Sequence, residues 1–169
     1  MDDPFVYDWT RFVRRIPVTA ERQAIYEAWA TRKGLESWFL RKAGFRAPNG
    51  KALDGLQFAK AGDNYEWLWH GWSDDVVERG EVLEADGKDH FRFSFGKAGI
   101  VDVEIKTEGK ETIVELTQES IPTDEPSKAM FHLGCSTGWT FYLANLKSIL
   151  EGGLDLRNKN ENLKNLVNS

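Results

Sequence analysis

The sequence predicts an α+β fold in which a curved antiparallel sheet of about six to seven strands wraps around one long C-terminal helix. Residues 126–151 contain no proline after the first position and carry one apolar stripe at helical spacing. Several segments before this stretch alternate apolar and polar residues with a period of two, as half-buried strands do. Two short helical segments follow the first strand. Together these observations favour a sheet that covers the apolar face of the helix.

The N-terminal region predicts one strand and then two short helices. Residues 9–18 mix β-formers with arginines and end near Pro17, which suits an edge strand. Thr19 is the expected N-cap of a helix over residues 20–30. Residues 31–34 then restart the chain into a second helix over residues 35–39. A break between two short helices predicts a V-shaped pair.

The central region predicts a meander of strands separated by turn residues. Two weak strands are expected over residues 41–47 and 55–60, and five stronger ones over residues 65–72, 76–85, 90–95, 100–107 and 111–120. Their alternation places ten apolar side chains on the inner face: Trp67, Trp69, Phe91, Phe93, Phe95, Val101, Val103, Ile105, Val114 and Leu116. The acidic residues between Glu78 and Glu119 fall largely on outward positions, which predicts a solvated face.

The long helix is expected to pack against this inner face through its apolar stripe. The stripe consists of Phe131, Cys135, Trp139, Leu143, Leu146 and Leu150, with Gly138 and Tyr142 beside it. Gly134 and Gly138 are four residues apart, a spacing that lets another element approach closely, here the sheet. Gly152 and Gly153 end the helix.

Composition excludes several classes of protein. A net charge of −5 and a pI of about 5.3 argue against a nucleic-acid binder that works through a basic surface. No run of about 18 apolar residues is present, so no membrane contact is expected. The N-terminus shows no secretory signal, and a single cysteine allows no internal disulfide, so we expect a cytoplasmic protein. One domain over residues 1–157 and a polar tail over residues 158–169 are expected.

Five segments of the chain carry motifs typical of a known family. They are IPVTAERQAIYEAWATRKGLESWF (16–39), YEWLWHGW (65–72), ERGEVLE (78–84), TIVELTQ (112–118) and GWTFYLANLKSILEGGLDLR (138–157). These segments resemble the START-like (SRPBCC) superfamily, which has the helix-grip fold. Within it, the sequence is similar to the group of the C-terminal domain of the activator of the heat-shock-protein-90 ATPase. The resemblance implies a sheet curled around the long helix and a cavity between them. Superfamily members bind lipids, polyketides, hormones or other apolar molecules there, and a minority are enzymes.

Candidate ligand-binding residues follow from the inward faces and the helix stripe. Apolar walls would come from Trp67, Trp69, Phe91, Phe93, Val103, Leu116, Cys135 and Trp139, with polar groups from Gln118, His132 and Tyr142. A largely apolar cavity is the usual form of a small-molecule site, although the same residues could fill a core. Each inward polar side chain needs a partner, since leaving it unpaired costs about 1–3 kcal/mol.

His132 and Cys135 lie three residues apart on one helix, a spacing that allows two chemical alternatives. The pair could offer two metal ligands, but three histidines and one cysteine provide no further ligands that we can place. It could also form a thiol nucleophile and its base, but no third orienting group is evident. Cys135 on an apolar stripe is more typical of core packing. We therefore expect no metal, no cofactor and no catalytic residue.

Three function classes remain open. The first is a protein that binds a hydrophobic small molecule of unknown identity without turnover. The second, implied by the resemblance, is a domain that contacts a chaperone. The third is a cyclase- or hydrolase-type enzyme in the same cavity, which would depend on His132, Tyr142 and Glu66. The sequence does not decide whether the chain forms a homodimer.

Overall fold

The computed structural model describes residues 4–167 and contains one seven-stranded antiparallel sheet. The strands lie in the order β1-β7-β6-β5-β4-β3-β2, so β1 and β2 form the two edges. Their bounds are β1 Phe12–Pro17, β2 Lys42–Arg46, β3 Asn64–Leu68, β4 Glu78–Ala85, β5 His90–Ser94, β6 Ile100–Glu108 and β7 Glu111–Glu119. This is the predicted α+β architecture, a curved and unclosed sheet with short helices after its first strand and a long helix at its C-terminal end.

The alternation of side chains places the core where the sequence predicts it. Phe91 pairs with Val103, and Val103 pairs with Leu116, so β5, β6 and β7 contribute one continuous apolar row to the inner face. All three side chains are buried. Because side chains alternate strictly along a strand, this register sends the charged neighbours to the outer face.

Helices cover the inner face of the sheet. Two short helices, α1 (Arg22–Ala30) and α2 (Arg32–Trp38), follow β1. The C-terminal helix runs as α3 (Glu125–Ser127), a π-helical segment (Lys128–Gly134) and α4 (Cys135–Leu150). The sequence predicts the length of this helix but not its π-helical segment, because its seven residues are too few to show a separate apolar period.

The strand predicted over residues 55–60 is absent from the structure. That segment instead joins the junction between α1 and α2, where the N–H of Ala59 donates to the carbonyl of Ala30 and the N–H of Lys33 donates to the carbonyl of Gly55. Both helix-end groups need a partner outside their own helix. The loop supplies these partners. At the β2 edge of the sheet, the loop forms an isolated β-bridge between Arg46 and Ala52.

Both helix starts also differ from the prediction. Thr19 is not the N-cap of α1, because α1 begins at Arg22 and Glu21 occupies the N-cap position. The backbone N–H of Thr19 donates instead to the carboxylate of Glu151 at 2.8 Å. The second helix begins earlier than expected, since the hydroxyl of Thr31 accepts a hydrogen bond from the N–H of Gly34 at 2.9 Å. A side-chain cap therefore sets the start of α2.

The segment after α4 folds back against α2. Arg157 is buried, and its guanidinium donates to the carbonyls of Glu36, Ser37 and Leu40 at 3.0 Å each. These carbonyls lie at or just beyond the last turn of α2, where backbone acceptors have no partner within the helix. The guanidinium also bonds both carboxylate oxygens of Asp155, at 2.9 and 2.8 Å. Partial burial alone would raise the pKa of Asp155, but the hydrogen bonds from Arg157 and its neighbours lower it.

Candidate functional site

An apolar pocket of about 140 Å³ lies between the end of the sheet and α4. Its buried floor consists of Phe39, Trp139 and Tyr142. Its half-buried rim is formed by Trp69, Phe95, Cys135 and Gly138. Four of these residues, Trp69, Cys135, Trp139 and Tyr142, belong to the set that the sequence predicts, whereas Phe39, Phe95 and Gly138 were not among the proposed ligand contacts.

Strand ends position the two aromatic rings of the rim. β3 ends at Leu68 and β5 ends at Ser94, so Trp69 and Phe95 are the first residues beyond their strands. Phe39 is the first residue after α2 and lies in the centre of the group, with its ring centroid 5.0 Å from Trp139, 4.8 Å from Tyr142 and 5.9 Å from Trp69. The ring of Phe95 lies 5.8 Å from that of Trp139. These separations are typical of aromatic pairs in contact.

Gly138 leaves space in the wall that α4 contributes. A Cβ built on Gly138 would meet no atom within 4 Å. The prediction that this glycine permits close approach of the sheet is therefore wrong, because no element approaches it. A glycine inside a helix costs about 1 kcal/mol relative to alanine. Packing does not require Gly138, so its effect is to keep the pocket open.

Gln118 is fully buried and joins four elements through its amide. Its Oε1 accepts from the indole N–H of Trp139 at 2.9 Å, and its Nε2 donates to the carbonyl of Ala98 at 2.9 Å. A weaker contact of 3.4 Å reaches the carbonyl of Phe131 in the π-helical segment. Gln118 thus orients Trp139 in the pocket floor. π-helical turns inside longer helices often occur at functional sites.

His132 is buried outside the pocket, and both of its ring nitrogens are engaged. One nitrogen lies 3.0 Å from the carbonyl of Trp9 and therefore donates to it, while the other lies 2.7 Å from the hydroxyl of Tyr7. Neither nitrogen faces Cys135. Burial raises the pKa of the Cys135 thiol, and the charge of Glu78 adds to the rise, which disfavours the reactive thiolate. This geometry supports neither a metal pair nor a thiol–base pair.

Other predicted ligand contacts belong to the hydrophobic core beneath the sheet. These residues are all buried and pack in the main core cluster: Trp67, Phe91, Phe93, Val103 and Leu116. None of them lines the 140 Å³ pocket. Tyr142 contributes its ring to the floor, and burial raises the pKa of its hydroxyl to about 12, so this group stays protonated at neutral pH.

Glu78 lies on the inner face of the sheet, in contrast to the outward position predicted for it. Glu78 on β4 lies directly opposite Trp67 on β3, and residues that lie opposite each other in neighbouring strands point to the same face of the sheet. A Cβ on Gly96 would overlap the Glu78 carboxylate, so this group lies against the residue that follows Phe95. Burial raises the pKa of the Glu78 carboxyl. Within residues 4–167, no lysine, arginine or histidine forms an ion pair with it.

A larger depression of about 810 Å³ involves β2, β3 and β4, the loop after β2 and Arg32. Polar and apolar atoms line it in nearly equal measure, and it contains the exposed ion pair between Arg79 and Glu66, at 2.9 Å. Aromatic side chains, in contrast, converge at the smaller pocket, where five of the seven lining residues are aromatic. None of the helices between residues 4 and 167 has the length and apolar character needed to cross a lipid bilayer.

Fold and pocket together define a helix-grip protein of the START-like class, with an apolar site between sheet and helix. Residues 19–151 match the family described as activator of Hsp90 ATPase homolog 1-like protein. The match covers most of the sequence, and the chain belongs to this family. Comparison with curated proteins finds no match.

Solved structures with the same fold come from several bacteria. The Aha1 dimer from Colwellia psychrerythraea has a TM-score of 0.63 and 18% identity, covering 85% of this chain and 97% of its own. A protein from Staphylococcus saprophyticus has a TM-score of 0.66 and 16% identity, covering 87% of this chain and 96% of its own. An AHSA1-like protein from Aeromonas hydrophila has a TM-score of 0.58 and 16% identity, covering 84% of this chain and 92% of its own. At these identities the likeness establishes the fold alone.

Proposed function

We propose that this protein binds a small apolar or aromatic group in the pocket between Trp69, Phe95 and α4. The observation that carries the proposal is Gly138, which keeps the pocket open although an alanine would fit and would strengthen the helix. A site that gives up stability without a packing reason is typical of functional positions.

The size of the pocket limits what can enter it. Its volume of about 140 Å³ is below the range of roughly 300–1,000 Å³ that accommodates drug-sized molecules. It is close to the cavity of about 150 Å³ that binds benzene in an engineered protein. We therefore expect one ring or a branched group of similar size to enter, with any remaining part of the ligand outside the rim.

Filling the pocket from Gly138 tests the proposal. Gly138→Leu is expected to abolish binding of indole and toluene, because the new side chain occupies the volume that these probes would take. Gly138→Ala is expected to raise the free energy of unfolding by about 1 kcal/mol and to weaken binding only partly. Binding is measured by NMR titration and by the rise in Tm that a ligand of the native state produces.

The control for this experiment changes a residue outside the pocket. Thr137→Ala alters the preceding, exposed position of α4 and should leave probe binding unchanged. If the wild-type protein binds neither probe, or if Gly138→Leu binds them as tightly as the wild type, the proposal is wrong.

A second candidate function, contact with a chaperone, is supported by the family match. On this proposal, the purified chain increases the ATPase rate of an Hsp90-type chaperone from the same source. Because one structural neighbour is a dimer, sedimentation velocity first establishes whether the stimulating species is a monomer or a homodimer. The Gly138→Leu variant should increase the ATPase rate of the chaperone as much as the wild type does, since on this proposal the pocket is not needed for the contact. An unchanged ATPase rate across a titration of the chain would contradict the candidate.

A further inference from the structure

We propose that the group bound in the pocket is an organic cation, specifically a methylated ammonium, held by the aromatic rings and by the carboxylate of Glu78. This inference rests on the proposed function and names the class of its ligand. It is carried by two independent features of the site, which are the number of rings around the pocket and a half-buried carboxylate beside it that has no cationic partner within residues 4–167.

Five aromatic residues surround a space of about 140 Å³. Aromatic faces carry partial negative charge and attract cations, most strongly when the cation is bulky and weakly hydrated, as methylated ammonium groups are. A trimethylammonium group is about as large as benzene and therefore matches the pocket. A neutral ligand would gain hydrophobic contact from the same rings but nothing from their electrostatic potential.

Glu78 supplies the formal negative charge. It shares the inner face with Trp67 and lies against Gly96, next to the rim residue Phe95. Its neighbours on β3 and α4 are Tyr65 and Cys135, and neither carries a positive charge. Glu66, Asp102 and Glu115 on the sheet have cationic partners, and Glu81 and Glu111, which form no ion pair within residues 4–167, are exposed. Glu78 is half-buried and accepts a hydrogen bond from the backbone N–H of Arg79, so a bound cation would be its first positively charged partner.

Choline and 3,3-dimethylbutan-1-ol are the probes. The two molecules have the same shape, but the alcohol has a neutral carbon where choline has its positively charged nitrogen. Each is titrated into the full-length protein while the indole N–H signals of Trp69 and Trp139 are followed by NMR. We expect choline to bind about tenfold more tightly than the alcohol. Glu78→Gln should weaken choline binding about fivefold or more and leave the alcohol unaffected. Glu81→Gln, an exposed position on the same strand, is the control and should change neither affinity.

The outcomes separate this inference from the proposed function. If both probes bind equally and Gly138→Leu abolishes both, the pocket is a neutral apolar site and the cation inference is wrong. If choline is preferred but Glu78→Gln does not reduce the preference, the role of Glu78 is wrong. If neither choline, the alcohol, indole nor toluene binds, both the inference and the proposed function fail. A preference for choline that Glu78→Gln removes and Glu81→Gln retains supports the proposal.

Discussion

Arg157→Met is expected to lower the free energy of unfolding by about 3 kcal/mol, or about 6–12 °C in Tm. The guanidinium makes three hydrogen bonds to carbonyls at the end of α2 and two to Asp155. Methionine retains apolar contact but donates no hydrogen bond, so several buried acceptors and one carboxylate lose their partner. Urea denaturation followed by circular dichroism measures the loss.

Lys159 offers a matched control for Arg157. Its ammonium also contacts Asp155, at 2.9 Å, but its side chain is 54% exposed whereas that of Arg157 is 3% exposed. Lys159→Met should therefore cost less than about 1 kcal/mol. Arg157→Lys should recover little of the lost stability, because an ammonium cannot reproduce the planar fork that reaches all four partners. Equal effects of Arg157→Met and Lys159→Met would contradict the assigned role.

Gln118→Met is expected to lower the free energy of unfolding by about 2–6 kcal/mol, at about 1–3 kcal/mol for each of the two buried groups left unpaired. The substitution preserves the shape of the side chain but removes the acceptor for the indole N–H of Trp139 and the donor to the carbonyl of Ala98. Thr117→Val, the neighbouring position on the opposite face of β7, should change stability by less than about 1 kcal/mol. Denaturant titrations of the three proteins provide the comparison.

A double-mutant cycle isolates the hydrogen bond between Gln118 and Trp139. Trp139→Phe removes the indole N–H, so the combined variant leaves no donor unpaired at that point. We expect Gln118→Met to cost at least about 1 kcal/mol less in the Trp139→Phe background than in the wild type. Strictly additive costs would show that the two side chains do not depend on each other.

The spacing of apolar residues along the chain accounts for the parts of the fold that the sequence predicts correctly. Phe91, Phe93, Val101 and Val103 alternate with polar residues, and the structure buries all four in the core. The C-terminal helix was recognised because its apolar residues recur at helical spacing. Both signals are readable because burial of one face imposes a period of two on a strand and of 3.6 on a helix.

Part of the candidate site was also accessible from the sequence. Trp69, Cys135, Trp139 and Tyr142 were chosen as inward or stripe residues, and all four line the pocket. Phe39 follows the second helix, where helical periodicity no longer indicates direction. Alternation places Phe95 on the inner face, although it is not among the predicted ligand contacts. The prediction places Glu78 on the outer face, which is wrong. The face that its side chain occupies depends on its pairing with Trp67 across β3 and β4, and neither alternation along one strand nor the turn residues indicate that pairing.

The sequence by itself determined the fold class, the number and order of most strands and the long amphipathic helix, because these features depend on periodic burial of neighbouring residues. Only the tertiary structure decided that Arg157 caps α2, that Gln118 holds Trp139 and that residues 55–60 close a helix junction rather than form a strand. Each of these roles depends on a partner more than 20 residues away in the chain. Hydrogen-bonding side chains such as arginine and glutamine fit many surroundings, so their identity alone does not indicate which distant group they bind.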